Sequence, residues 1–243
     1  MRLVVDGPEG DVFILTTTHL VNIYYAYIHD WNITLLKKNL SKDDFKKLES
    51  FQHLPTLNLK ILNRSLLRYL FTYKYGIKND QIEFVYNNRE KPFLKNYSSI
   101  YFNSSHSEEV VLIGMTDKCR LGVDIEFIRA RKDENAIARL FLSSEEYSSY
   151  QRHRSECPHA FYKFWTAKES VIKALGKGLW EGDLVPEITL LNNQFVLRSK
   201  AKILNDWNIT FLDLEKNYSG CLVTNHADIK VEILRLTPEI ISK

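Results

Sequence analysis

The run Gly122-Val123-Asp124-Ile125-Glu126-Phe127 constrains this chain more than any other stretch. Its apolar and acidic positions alternate with period two, so a β-strand here sends Asp124 and Glu126 to one face and Val123, Ile125 and Phe127 to the other. Two carboxylates side by side on a half-buried strand repel each other unless water or a cation neutralises them. A solvated edge and a metal site both remain open on the strand alone.

The elements around this strand fall into two similar series. Strand-like runs lie near 12–15, 23–28, 82–85, 100–103 and 110–115 before it, and near 187–191, 194–197, 209–214, 220–224 and 230–236 after it. Asn192-Asn193 fits a tight hairpin turn. Ser41 with Asp44, and Ser143 with Glu146, have the spacing of capping boxes that open helices. Leu62, Leu66, Tyr69 and Tyr73 repeat at helical spacing and Gly76 ends the series, while a second long helix is expected over 160–175, closed by Gly176. Strands, a capped helix and more strands in each half predict an α+β protein of two lobes meeting near residue 118, although no Pro/Gly-rich linker separates them.

Composition narrows the function classes. With 243 residues, 44% hydrophobic and 12% aromatic, the chain has ample material for a packed core. The formal charge of +3, from 33 basic and 30 acidic residues, is too small an excess to indicate a nucleic-acid partner. Cys119, Cys157 and Cys221 are far apart and odd in number, as expected of reduced thiols in a cytoplasmic protein. Asp6, Glu9 and Asp11 interrupt the first apolar run, unlike a signal peptide, and apolar stretches such as 110–115 are much shorter than a membrane span.

The second long helix carries charge where a core face is expected. Phe161, Trp165, Glu169 and Lys173 recur at intervals of four and share a face. Glu169 could simply pair with Lys173, or join Asp124 and Glu126 as a third hard oxygen donor. Three carboxylates with nearby lysines suit Mg2+ bridging a phosphate anhydride, because that ion takes one or two protein carboxylates together with substrate phosphates. Lys168 or Lys173 could then offset phosphate charge. In Phe102-Asn103-Ser104-Ser105-His106-Ser107, a strand is expected to end in a polar cluster able to bind phosphate oxygens, or in an ordinary hydrogen-bonded loop.

Taken in order, Lys91-Pro92, the FNSSHS run ending at Ser107, GVDIE at 122–126 and WTAKESVIKALGKGL from Trp165 resemble the Sfp-type 4'-phosphopantetheinyl transferases. The resemblance implies a pseudo-twofold pair of α+β lobes, 1–118 and 119–243, with coenzyme A and Mg2+ in the cleft between them. It further implies Asp124, Glu126 and Glu169 as metal ligands, with Glu169 also assisting deprotonation of a serine on an apo acyl or peptidyl carrier protein. Lys173 is implied to neutralise the pyrophosphate or the departing 3',5'-ADP, and Lys168 to lie along the pantetheine or phosphate portion. Ser105 and His106 would contact phosphates, Lys91-Pro92 would flank the adenine, and a basic helix face of Lys60, Arg64 and Arg68 would serve the 3'-phosphate. Glu90 and Glu108 depart from the pattern, since similar sequences commonly carry Gly there. A monomer suffices for such a site. A Mg2+-dependent phosphodiesterase or pyrophosphatase acting on coenzyme A is the rival expectation, with water replacing the serine.

Overall fold

The computed structural model describes residues 2–6, 12–16, 19–176, 185–192, 194–199, 202–215 and 217–241. Lys177, Gly178 and Leu179 of the helix-end motif, and Asn193 of the expected hairpin turn, lie outside them.

An antiparallel hairpin of β1 (Arg2–Asp6) and β2 (Val12–Thr16) precedes the body of the protein. The first series is β3 (His19–Tyr27), α1 (Ile33–Leu36), α2 (Lys42–Leu48), α3 (Leu54–Tyr75), β4 (Phe84–Tyr86), β5 (Pro92–Leu94), β6 (Tyr101–Ser107) and β7 (Val110–Thr116). The second is β8 (Leu121–Phe127), α4 (Glu134–Phe141), α5 (Ser144–His153), α6 (Ala160–Leu175), β9 (Glu187–Leu191), β10 (Gln194–Ser199), β11 (Lys202–Ile203), β12 (Asn208–Leu212) and β13 (Tyr218–Thr224). Each series therefore runs strand, short helices, long helix, hairpin, two strands, with β11 added to the hairpin of the second. The sheets repeat the order too: β3-β7-β6 and β8-β13-β12. This is the mixed α+β, two-lobe architecture expected from the sequence.

The last strand, β14 (Ile229–Arg235), does not extend the second sheet. It pairs in parallel with β3 along its whole length, ahead of the short α7 (Pro238–Ile241). No described helix is long and apolar enough to cross a membrane.

Alternation explains the layers. On β7, Val111, Ile113 and Met115 join the core beneath α3, while Val110 and Leu112 join Leu121, Val123 and Ile125 of β8 in a second core between the sheets. The opposite face of β8 receives α6. Gly122 is required there, because a Cβ would lie 2.1 Å from the Ser170 carbonyl oxygen and 2.4 Å from the Ala174 nitrogen. Both long helices end on a left-handed glycine, Gly76 at φ 66° and Gly176 at φ 68°.

Both expected capping boxes form, and each has a further duty. Asp44 of the first is buried and takes a 2.5 Å bond from Arg68 Nε on α3. Glu146 of the second is buried and takes a 2.8 Å bond from Lys168 Nζ on α6. The loop shapes at Glu90 and Glu108 are those of glycine: both residues are left-handed, at φ 59° and φ 49°. Lys47 binds Glu90 and Arg129 binds Glu108, holding each loop by an exposed ion pair.

One expectation is corrected. The strand expected at 100–103 continues to Ser107, so the polar FNSSHS run is strand and not its terminal loop. Its odd positions are satisfied sideways by the neighbouring sheet, which allows polar residues to stay extended.

Candidate active site at the seam between the sheets

The edge strands β6 and β8 run side by side, joined through side chains. Asn103 Oδ1 accepts from the Val123 amide at 2.9 Å, and Ser105 Oγ donates to Asp124 Oδ1 at 2.7 Å. Ser107 Oγ donates to Glu126 Oε2 at 3.0 Å and accepts from the Phe127 amide at 3.0 Å. Period-two geometry thus places Asn103, Ser105 and Ser107 along β8, with Ser104 and His106 turned toward α3, where Asn63 donates to Ser104 Oγ at 3.0 Å.

Packing α6 on β8 brings Glu169 and Lys173 over the two strand carboxylates. Lys173 Nζ donates to Asp124 Oδ1 at 2.6 Å and to Ser105 Oγ at 2.9 Å. It pairs with Asp124 and, among the described residues, not with Glu169. Burial, and then the negative charge of Asp124, raise the carboxyl pKa of both Glu126 and Glu169. Three acidic groups sharing one recess with one ammonium leave a surplus of acceptors.

That surplus has a visible mark: Asp124 Oδ2 is buried and makes no hydrogen bond among the described residues. An all-oxygen donor set with an orphaned buried carboxylate oxygen fits a hard divalent cation. Among the described residues, no group of three His, Cys, Asp or Glu side chains stands already converged as a metal cage. Lys173 occupies one oxygen of Asp124 in this arrangement.

His106 reaches solvent, yet crowding by the cleft walls, followed by the positive charges of Lys60 and Lys173, lowers its pKa to about 4. At neutral pH the ring is therefore uncharged and able to donate to an anion. Lys60 extends over the Phe51 ring at 4.2 Å and makes no ion pair with a described residue.

Lys91 binds the Lys173 carbonyl oxygen at the end of α6, and Pro92 begins β5 beside it. Burial, then the charge of Arg120, lower the Lys91 pKa to about 8. Both Lys91 and Pro92 line a cavity of about 560 Å³ between the β4–β5 hairpin and the end of α6.

Two other sequence candidates lie elsewhere. Lys168 is sealed against Glu146, whose Oε1 also accepts from the Ile188 amide at 2.8 Å. Arg64 stacks on Phe84 at 3.8 Å, donates to the Tyr86 hydroxyl at 2.6 Å and lies 3.4 Å from Asp44, with Nη1 left unbonded. Arg68 is buried beneath it. Ser107 and Arg120 were not singled out from sequence. Ser107 could have been found by extending the β6 phase two residues past Ser105; Arg120 carries no local signal.

The segment that carries this geometry is similar to known proteins. The family model described as the 4'-phosphopantetheinyl transferase superfamily matches residues 120–223, which include β8 and α6. The chain is 28% identical over 165 residues to the 4'-phosphopantetheinyl transferase HetI of Nostoc sp., covering 63% of this chain and 70% of that protein. It is 32% identical over 151 residues to the 4'-phosphopantetheinyl transferase psf-1 of Bacillus pumilus, covering 62% of this chain and 64% of that protein. With the 4'-phosphopantetheinyl transferase gsp of Aneurinibacillus migulanus it shares 36% identity over 151 residues, covering 60% of each. Over the segment that carries β8 and α6, the chain is therefore similar to members of the 4'-phosphopantetheinyl transferase superfamily.

Proposed function

We propose that this chain transfers 4'-phosphopantetheine from coenzyme A to a serine of an apo acyl or peptidyl carrier protein, releasing 3',5'-ADP. The observation that carries this reading is the convergence of Asp124, Glu126, Glu169 and Lys173 at a seam whose β6 side offers Ser105 and His106. The lobes are 1–118 and 119–243, with β14 returning to the first sheet. The chain acts as a cytoplasmic monomer, without nucleic acid.

In this reading Asp124, Glu126 and Glu169 would hold Mg2+, which would supply neutralisation of phosphate charge. Lys173, held beside Asp124 and Ser105, would stabilise negative charge gathering on the leaving 3',5'-ADP. Neutral His106 and the Ser105 hydroxyl orient the phosphates. The serine oxygen forms a bond to the phosphorus bearing pantetheine, the bond from that phosphorus to the 3',5'-ADP oxygen breaks, and the serine proton passes to Glu169. Lys91 and Pro92 flank the adenine end. Arg64 borders the ribose side through its unbonded Nη1, while Lys168 supports α6 from within the lobe.

The test is intact mass spectrometry of several apo carriers after incubation with coenzyme A and Mg2+. A gain of one phosphopantetheine on the carrier is expected. Release of 3',5'-ADP with no mass gain on any carrier would instead establish the hydrolase.

A further inference from the structure

Each strand carboxylate at the seam commits one oxygen to a serine of β6. Asp124 Oδ1 accepts from Ser105 and from Lys173, while its buried Oδ2 makes no hydrogen bond among the described residues. Glu126 Oε2 accepts from Ser107 at 3.0 Å. Ser105 faces the phosphates in the transferase reading, but Ser107 has no such duty. Its hydroxyl is instead engaged on both sides, because Ser107 Oγ also accepts from the Phe127 amide at 3.0 Å. A hydroxyl has a single proton, so an amide held at its oxygen leaves that proton aimed at the carboxylate.

The backbone beneath Ser107 is fixed as well. Ser107 pairs with Val110 across the β6–β7 hairpin, which turns on Glu108 and Glu109, and Arg129, just past the end of β8, binds Glu108. The serine is thus tied to β7 on one side and to the chain following Glu126 on the other. A carboxylate gripped at one oxygen by so constrained a donor does not readily turn both oxygens toward one ion. That restriction discriminates between divalent cations. Mg2+ demands near-ideal octahedral geometry, whereas Ca2+ has a flexible shell that accepts carboxylates through one oxygen or through two.

We infer that Ser107 is a positioning residue that holds Glu126 for ligation through one oxygen and so favours Mg2+ over Ca2+ at the seam. This rests on the ligand set of the transferase reading and adds to it a residue that acts through Glu126 alone. Groups of this kind, bonded to a metal ligand, orient it and tune which ion it takes. Trp165 of α6 also donates toward the Glu126 carboxylate, so loss of the serine loosens that carboxylate without releasing it altogether.

Thermal melting at fixed, saturating coenzyme A, titrated separately with Mg2+ and with Ca2+, tests this on the wild type, Ser107→Ala, Ser107→Thr, Ser104→Ala and Asp124→Ala. In Ser107→Ala the Mg2+ concentration giving half the full rise in melting temperature is expected to increase about tenfold, the lower end for losing a group that orients a metal ligand. The Ca2+ midpoint should move much less. Ser107→Thr keeps the hydroxyl and should restore the wild-type ratio of midpoints. Ser104, the neighbouring serine turned toward Asn63 of α3, should be replaceable without effect on either ion. Melting without added ion checks the fold, and Ser107→Cys, a weaker donor of similar size, gives the same reading if Ser107→Ala is unfolded. An unchanged Mg2+ midpoint in the folded variant, or equal shifts for both ions, overturns the inference. Carrier charging by the wild type is scored separately. If charging proceeds and Asp124→Ala abolishes the Mg2+ response while Ser107→Ala leaves it intact, the transferase reading stands and only the role of Ser107 falls. If Mg2+ leaves the wild type unmoved, the ligand set falls and the role of Ser107 with it.

Discussion

In the first lobe Asp44, inside the first turn of α2, holds Arg68 of α3; in the second, Glu146, inside the first turn of α5, holds Lys168 of α6. Arg68 and Lys168 each stand eight residues before the glycine that ends their helix. The same offset of one hundred positions relates Tyr24, Tyr69 and Tyr73 to Asp124, Glu169 and Lys173. Tyr69 and Tyr73 stack at 5.7 Å and border Tyr24 of β3, where the second lobe has its acids and ammonium. The scaffold is thus repeated while the cluster of acids and ammonium is confined to one copy. The strand alongside accounts for part of the difference: β8 has the serine-bearing β6 beside it, whereas Tyr24 lies opposite Leu234 of β14.

The buried pairs offer the largest test of that equivalence. Arg68→Ala leaves buried Asp44 with only the longer contact to Arg64 as a cation and should cost about 3 kcal/mol in urea unfolding. Lys168→Ala should cost less, since Lys168 makes one hydrogen bond to Glu146 whereas Arg68 also binds Asn79 and Ile82. If Arg68→Ala is nearly neutral, the two pairs are not equivalent supports.

Next comes the face on which the lobes differ. Asp124→Ala or Glu169→Ala should slow carrier charging by about 100-fold or more, the typical loss for one preorganised electrostatic contact. Tyr69→Phe and Tyr73→Phe should leave the rate within about twofold, because each deletes only a hydroxyl at sites set in the other lobe. Comparable losses on both faces would break the asymmetry.

Titration sharpens it further. The folded-state pKa values of Glu126 and Glu169 are raised, so the fold favours their protonated forms and loses stability as pH rises through the carboxylate range. A divalent cation needs the ionised forms. The rise in melting temperature on adding Mg2+ should therefore grow from mildly acid to neutral pH; a pH-independent rise would contradict the ligand set.

The smallest expected effect concerns Glu90 and Glu108. Their left-handed backbone carries a cost that glycine avoids, so Glu90→Gly and Glu108→Gly should each stabilise by about 1 kcal/mol, with the exposed ion pairs offsetting little. Differential scanning calorimetry would show it.

Much of this was legible in the chain. The alternation around Asp124 and the four-residue spacing from Phe161 to Lys173 depend on local periodicity, which sequence displays. The length of β6 was not, because Ser105 and Ser107 read as loop residues until β8 supplies their acceptors. Lys168 misleads for a similar reason: its acceptor, Glu146, lies on another helix, and adjacency to Glu169 says nothing about which way a helical neighbour points. The partnership of β14 with β3 was also hidden, as a parallel pairing between distant segments leaves no turn signature.

That partnership has a consequence for how the protein is made. During synthesis the first lobe emerges long before Ile229–Arg235, so the outer edge of β3 stays bare until that segment has followed it out of the ribosome. An uncovered edge is an invitation to foreign strands. Removing the segment after Thr224 should therefore yield a product whose first lobe associates edge to edge, even though every residue of the carboxylate seam would still be present.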